Sequence, residues 1–133
     1  MSCSIPDGFR FHIGHLWIRP GDSSGEAFVG ISDFAQKQLG KIIFVDLPRI
    51  GDVIQIGQPF GAVESNKVVS ELIAPVSGEV MEANMLLRKS VGLVNDDCYG
   101  AGWIAKVRMS DPVDLSTLLS GDQYLSLLGE KAK

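Results

Sequence analysis

A chain of 133 residues, 45% apolar and 21% charged, is of single-domain size and can bury a core without disulfide or metal staples. Twelve Lys and Arg against sixteen Asp and Glu leave a formal charge of −4 with no basic cluster, which argues against nucleic acid as a partner. No run approaches the roughly 20 apolar residues of a membrane span, the first residues lack a signal-peptide core or an Arg-rich transit segment, and Cys3 and Cys98 are expected as free thiols of a cytoplasmic monomer.

Residues 9–19 alternate, with Phe9, Phe11 and Ile13 followed by His15, Trp17 and Arg19. Residues 27–31 resume the pattern after a Pro, Gly and Ser-rich stretch, so two strands joined by a loose hairpin turn are predicted. Ser32 or Asp33 can cap a short helix that runs to Leu39. Asp33 and Gln36 have capping-box spacing, Gly40 is placed to end the helix in the left-handed conformation, and Phe34 and Leu39 should face inward. Residues 42–47 are almost continuously apolar, the pattern of a strand covered on both faces, and Pro48 closes it.

Short strands follow at 53–56 and 60–63, separated by Gly57, Gln58 and Pro59, then at 68–73, 78–83, 93–94 and 103–109. Residues 95–102 read as a loop by composition. Beyond Pro112, Leu115, Leu118 and Leu119, then Tyr124, Leu125 and Leu128, recur at helical spacing on either side of Ser120 and Gly121. This predicts two short amphipathic helices in a C-terminal extension at about 113–130. Many short strands with peripheral helices make the chain mainly β, a sandwich or barrel forming a single domain over 1–133.

Pro-x-x-Gly-acid-Val occurs twice, as Pro48, Gly51, Asp52, Val53 and as Pro75, Gly78, Glu79, Val80. A duplicated strand and turn unit is how a small β-sandwich with internal two-fold symmetry is written, with a hairpin joining the halves. Lys67 falls between the copies, in the run Glu64, Ser65, Asn66, Lys67, Val68, Val69, Ser70, Glu71. A lysine in a turn is by itself ordinary solvated surface. At a hairpin tip between small and acidic neighbours, however, its amine is presented to a modifying enzyme without burial.

Other constellations are weaker. His12 and His15 are three apart, would point to opposite faces of a strand, and have no CxxC beside them, so no metal site is expected. There is no Gly-x-Ser-x-Gly elbow and no phosphate loop, and Asp96 and Asp97 read as solvated loop residues. Catalysis by the polypeptide itself is not indicated.

The chain resembles the H protein of the glycine cleavage system over nearly its whole length. The resemblance runs through His15 and Trp17; residues 29–33, Ala35, Gln36, Leu39 and Gly40; residues 43–48 and 61–67; Ser70 and Glu71; residues 74–80; residues 93–95; and Tyr99, Gly100, Gly102 and Trp103. It implies a barrel-sandwich hybrid of the lipoyl and biotinyl carrier type. It also implies that the Lys67 amine forms an amide with lipoic acid; Glu64, Ser65 and Glu71 are the context of that modification site, a mildly acidic rim from which the amine protrudes. Biotin carriers differ in usually placing methionine on both sides of the lysine, where Asn66 and Val68 stand here.

By the same likeness the chain is a non-catalytic carrier. Its implied partners are a pyridoxal-phosphate glycine decarboxylase, a folate-dependent aminomethyltransferase, dihydrolipoyl dehydrogenase, and a lipoate ligase or lipoyltransferase. The cleft that receives the loaded arm would involve His15, Leu16 and Gln38. Here the chain departs from the family pattern. Glu-His-Glu-Trp is common where Gly14, His15, Leu16, Trp17 stand, some members carry histidine at the position of Gln38, and Glu71 keeps the usual acid. Cys98 replaces the usual proline before Tyr99, and residues 85–92 are basic where relatives tend to be acidic. Leu16 keeps open an alternative, an H-like lipoyl carrier serving sulfur-compound oxidation or a lipoate relay.

Overall fold

The computed structural model describes residues 8–12, 14–21, 25–110 and 118–131. Cys3, Ile13, residues 22–24 of the first turn, and the first of the two predicted C-terminal helices, around Leu115, lie outside the described residues.

Side chains two apart share a strand face, and this builds an antiparallel meander of β1 (Arg10–Phe11), β2 (Leu16–Pro20) and β3 (Glu26–Ile31). The stretch predicted as one strand over 9–19 is instead a hairpin, with Arg10 opposite Ile18 and Phe11 opposite Trp17. Its reversal uses His15 at φ 68°, whose N–H donates to the His12 carbonyl at 2.9 Å. The odd-numbered residues keep the same face on both arms, so the period runs through the turn unbroken and conceals it. Leu16 and Ile18 enter the main core, while Trp17 points the other way into an aromatic cluster with Phe9, Phe11, Tyr99 and Tyr124.

Helix α1 (Asp33–Leu39) starts at Ser32, whose Oγ accepts from the Ala35 N–H at 3.1 Å. Leu39 and Phe34 are partly buried against the two clusters, as expected, but the buried residue of the helix is Gln36. Then come β4 (Ile42–Asp46), β5 (Val53–Ile54), β6 (Pro59–Ser65), β7 (Val69–Ile73) and β8 (Gly78–Ala83). A 3-10 turn (Met85–Arg88), α2 (Leu93–Asp96), β9 (Ala105–Met109), β10 (Leu119–Ser120) and α3 (Gly121–Lys131) complete the order.

The strands make a seven-stranded sheet, β10-β1-β2-β3-β9-β8-β5, and a three-stranded sheet, β4-β6-β7, packed as a sandwich that does not close into a barrel. The main core includes Ile18, Val29, Ile42, Val63, Leu72 and Val107, each worth on the order of 1.5–3 kcal/mol of burial. The repeated motif pairs with itself. Val53 lies opposite Glu79, Gly51 N–H donates to the Val80 carbonyl and Val80 N–H to the Asp52 carbonyl, both at 2.8 Å. This pairing and that of β6 with β7 are centred on Asn66 and Lys67.

Three further expectations fail. β4 is an edge strand and not a covered one, with Ile43 and Phe44 exposed and a register shift between Ile42 and Phe44. Residues 93–94 open α2, because the bonds from Asn95 N–H and Asp96 N–H to the Gly92 carbonyl coil the segment. Leu119 lies in β10, paired with Phe11, so of the predicted C-terminal pair the described residues hold the second helix, α3. Tyr124 of α3 stacks on Phe11 at 4.3 Å between centroids and covers the outer face of the meander.

Candidate functional site

β6 and β7 pair as far as Glu64 opposite Val69, which leaves Asn66, Lys67 and Val68 to make the reversal. Ser65 shapes it. Its N–H donates to the Val68 carbonyl at 2.9 Å, and its Oγ accepts from the N–H groups of Lys67 at 3.1 Å and Val68 at 3.2 Å. The Ser65 hydroxyl in turn donates to the Val68 carbonyl at 3.3 Å. A short hydroxyl side chain can take the place of water at turn N–H groups, and Ser65 does so while buried at 5% exposure. Lys67 is left exposed at the tip, in no ion pair among the described residues. Glu64 and Glu71 sit on the outward face of β6 and β7, where Glu64 is opposite Val69 and Glu71 opposite Ala62, below the tip.

The tip rests on the end of α1. A β-carbon built at Gly40 would lie 3.5 Å from Lys67 Cε and 3.7 Å from Nζ, so the lysine stem runs along the Gly40 backbone. Gly40 has the expected positive φ, 82°, but its ψ of −158° is extended and not left-handed helical, a combination essentially reserved for glycine. Asn95 fixes this corner. Its amide donates to the Gly40 carbonyl and to Gln36 Oε1, both at 2.9 Å, and its Oδ1 accepts from the Ile42 N–H at 2.9 Å. Gln36 Nε2 donates to Asp33 Oδ1 at 2.9 Å, extending the network along the helix. Beside it lies a shallow cavity of about 450 Å³ lined by Lys37, Gly40, Lys41, Asn95 and Asp96 among others.

Two tyrosines hold the start of α1. Tyr99 Oη accepts from the Asp33 N–H at 3.0 Å, and Tyr124 Oη lies 2.7 Å from Ser32 Oγ and 2.8 Å from His15 Nδ1. Burial raises the Tyr99 phenol well above its ordinary value. It pushes Tyr124 up to about 12, against the opposing pull of the Ser32 hydrogen bond.

Of the residues named for a cleft, His15 is half-buried against Phe34 and Tyr124, Leu16 packs in the main core at 3% exposure, and Gln38 is exposed on α1. None of the three lines the cavity beside Gly40. His12 and His15 belong to the β1–β2 turn, where His12 Nδ1 accepts from the Gly14 N–H at 3.0 Å. The residues that sequence reading missed are Asn95 and Gln36. The Asp33 and Gln36 spacing was a partial signal, since the two do bond, but as links in a buried chain under Ser32 as the cap.

An exposed primary amine, free of ion pairs among the described residues and on a turn braced from below, is chemically fit to be acylated. The family model described as glycine cleavage H-protein matches residues 9–131. The chain belongs to the glycine cleavage H-protein family. It is 45% identical to the glycine cleavage system H protein of Carboxydothermus hydrogenoformans over 129 residues, 97% of this chain and 98% of that one. It is 46% identical to that of Rubrobacter xylanophilus over 128 residues, 96% of this chain and 97% of the relative. A crystal structure of a glycine cleavage system H protein from Mycobacterium marinum superposes with a TM-score of 0.84 at 36% identity, covering 94% of this chain and 99% of the other. The span matched to the H-protein family contains the Lys67 hairpin, α1 and the Asn95 network entire.

Proposed function

We propose that this H-family chain is a lipoyl carrier whose Lys67 amine is acylated by lipoic acid through a lipoate ligase or lipoyltransferase. As a cytoplasmic monomer and a single domain, it shuttles an aminomethyl group and reducing equivalents between a pyridoxal-phosphate glycine decarboxylase, a folate-dependent aminomethyltransferase and dihydrolipoyl dehydrogenase. The observation that carries this reading is the exposed Lys67 amine at a Ser65-braced tip.

The lipoyl group, when bound, supplies a cyclic disulfide able to accept a one-carbon unit and two electrons. The polypeptide's contribution is positional. Ser65 holds the backbone of Lys67, Gly40 supports its stem, and the paired repeats lie below the hairpin in the body of the sandwich. A lysine carrying such an arm reaches roughly 10–15 Å by summed bond lengths, and tethering raises the effective concentration of the carried group to around millimolar at any docked active site within that reach. Glycine and bicarbonate exchange, assayed with the lipoylated protein and the decarboxylase, tests the reading. Exchange with the wild type and none with Lys67→Arg is expected; no exchange with fully lipoylated wild type contradicts it.

One observation favours a second reading. Leu16 is buried and apolar, so it offers no acceptor to an ammonium group on a loaded arm. An H-like carrier serving sulfur-compound oxidation or a lipoate relay would have no need of that acceptor. Failure of exchange in the wild type with recovery in Leu16→Glu would select it.

A further inference from the structure

A second cavity, larger than the one beside Gly40, lies in the seam where the sandwich stays open. It is a groove of about 620 Å³ between β4 with its continuation to Ile50 on one side and the segment from Ala83 to Val91 on the other. We propose that this groove docks an extended segment of a partner protein, one that alternates apolar with acidic side chains and adds as a strand along the free edge of β4.

Three observations carry this. First, β4 has a strand neighbour on its β6 side only, among the described residues, and beyond Ile42, whose N–H is taken by Asn95 Oδ1, an edge strand of this kind offers backbone N–H and C=O groups to an incoming strand. Second, the groove is lined by apolar side chains that the fold leaves in water: Ile43, Phe44, Ile50 and Met85 are all exposed, Ile50 at 73%. Such side chains give pockets for every second residue of an added strand. Third, the charge there runs against that of the chain. The lining carries Arg49 and Arg88 against the single acid Asp46, on a molecule of formal charge −4, and neither arginine is in an ion pair among the described residues. Lys89, also exposed, follows Arg88 in the chain.

The position suits a partner that acts at the tip. Ile42 is opposite Ser65 and Phe44 opposite Glu64, so the groove begins beside the Lys67 hairpin. At roughly 3.3 Å per residue, a segment along β4 lies within about 10–20 Å of the lysine, comparable with the reach of an acylated side chain. A second copy of this chain is a poor occupant, because groove against groove would set arginine against arginine.

The test uses isotope-labelled protein titrated with two short synthetic peptides, one alternating valine with glutamate and the other valine with lysine. The glutamate peptide should shift the amides of residues 43–50 and 85–91. It should bind roughly tenfold more weakly to the R49E/R88E variant, which keeps its other amide positions because both side chains are exposed, and that variant should prefer the lysine peptide. No shifts in the groove, or equal binding of both peptides to the wild type, overturns the proposal. So does preferential binding of phosphatidylglycerol vesicles by the same residues, or concentration-dependent dimerisation that Phe44→Glu abolishes. The peptides need no acyl group, so failure here sinks the groove and leaves the carrier reading standing, while an unacylated Lys67 does the reverse.

Discussion

The Lys67 stem lies along the backbone of Gly40, within 3.5 Å of where a β-carbon would be. Two segments distant in sequence thereby meet, the apex of the duplicated unit and the end of α1. Helix α1 is tied at its start by Tyr99 and Tyr124 and at its end by Asn95, so the surface under the lysine is set by buried hydrogen bonds. The consequences can be measured residue by residue.

Ser65→Ala removes the acceptor of the Lys67 and Val68 N–H groups. A loss of about 1 kcal/mol in urea unfolding is expected, since water can reach part of the turn. Amide exchange at Lys67 and Val68 should speed up, and enzymatic acylation should slow while still reaching completion.

Gly40→Ala forces a β-carbon onto a backbone at φ 82° and ψ −158°. The strain costs about 1–3 kcal/mol, and in a domain of this size each kcal/mol lowers Tm by roughly 3–5 °C. Contact with the lysine itself is ordinary at 3.5 Å. Acylation well below the new Tm should therefore proceed at close to the wild-type rate, and a calorimetric scan paired with that rate separates the two effects.

Asn95→Leu preserves bulk but leaves the Ile42 N–H, the Gly40 carbonyl and Gln36 Oε1 without their partner. Destabilisation of roughly 2–5 kcal/mol is expected in chemical unfolding. Amide shifts should spread to Lys67 through the Gly40 corner.

Stability should fall at both ends of the pH range. Tyr124 ionises at about 12 in the folded protein against 10.0 ordinarily, so the unfolded chain loses its proton first. The stability it contributes is complete below pH 10.0 and is lost as pH rises through about 12, with Tyr99 acting in the same direction. At the other end burial lowers the His12 pKa from 6.5, so its contribution is present above 6.5 and lost as pH falls through the depressed value. Urea midpoints across this range check both limbs, and Tyr124→Phe should flatten the alkaline one.

The hairpin, the repeat that pairs with itself and the α1 boundaries were legible because each has a local signature: a motif copied at fixed spacing, a cap, a glycine. What was not legible has physical reasons. The β1–β2 turn keeps the two-residue period through Gly14 and His15, so alternation alone cannot locate it. The apolar run of β4 reads as burial, yet its register shift and edge position put Ile43 and Phe44 in water. Leu93 and Val94 are too short a run to tell strand from helix. Gln36 and Asn95 pair across 59 residues, and no local pattern records such a bond.

The most direct test of the carrier account is the intact mass and peptide map of the protein produced with lipoate and a lipoate ligase. The account predicts one lipoyl addition, mapped to Lys67, and none in Lys67→Arg. A wild type that stays unmodified, or a Lys67→Arg variant that gains the same mass at another lysine, would contradict it.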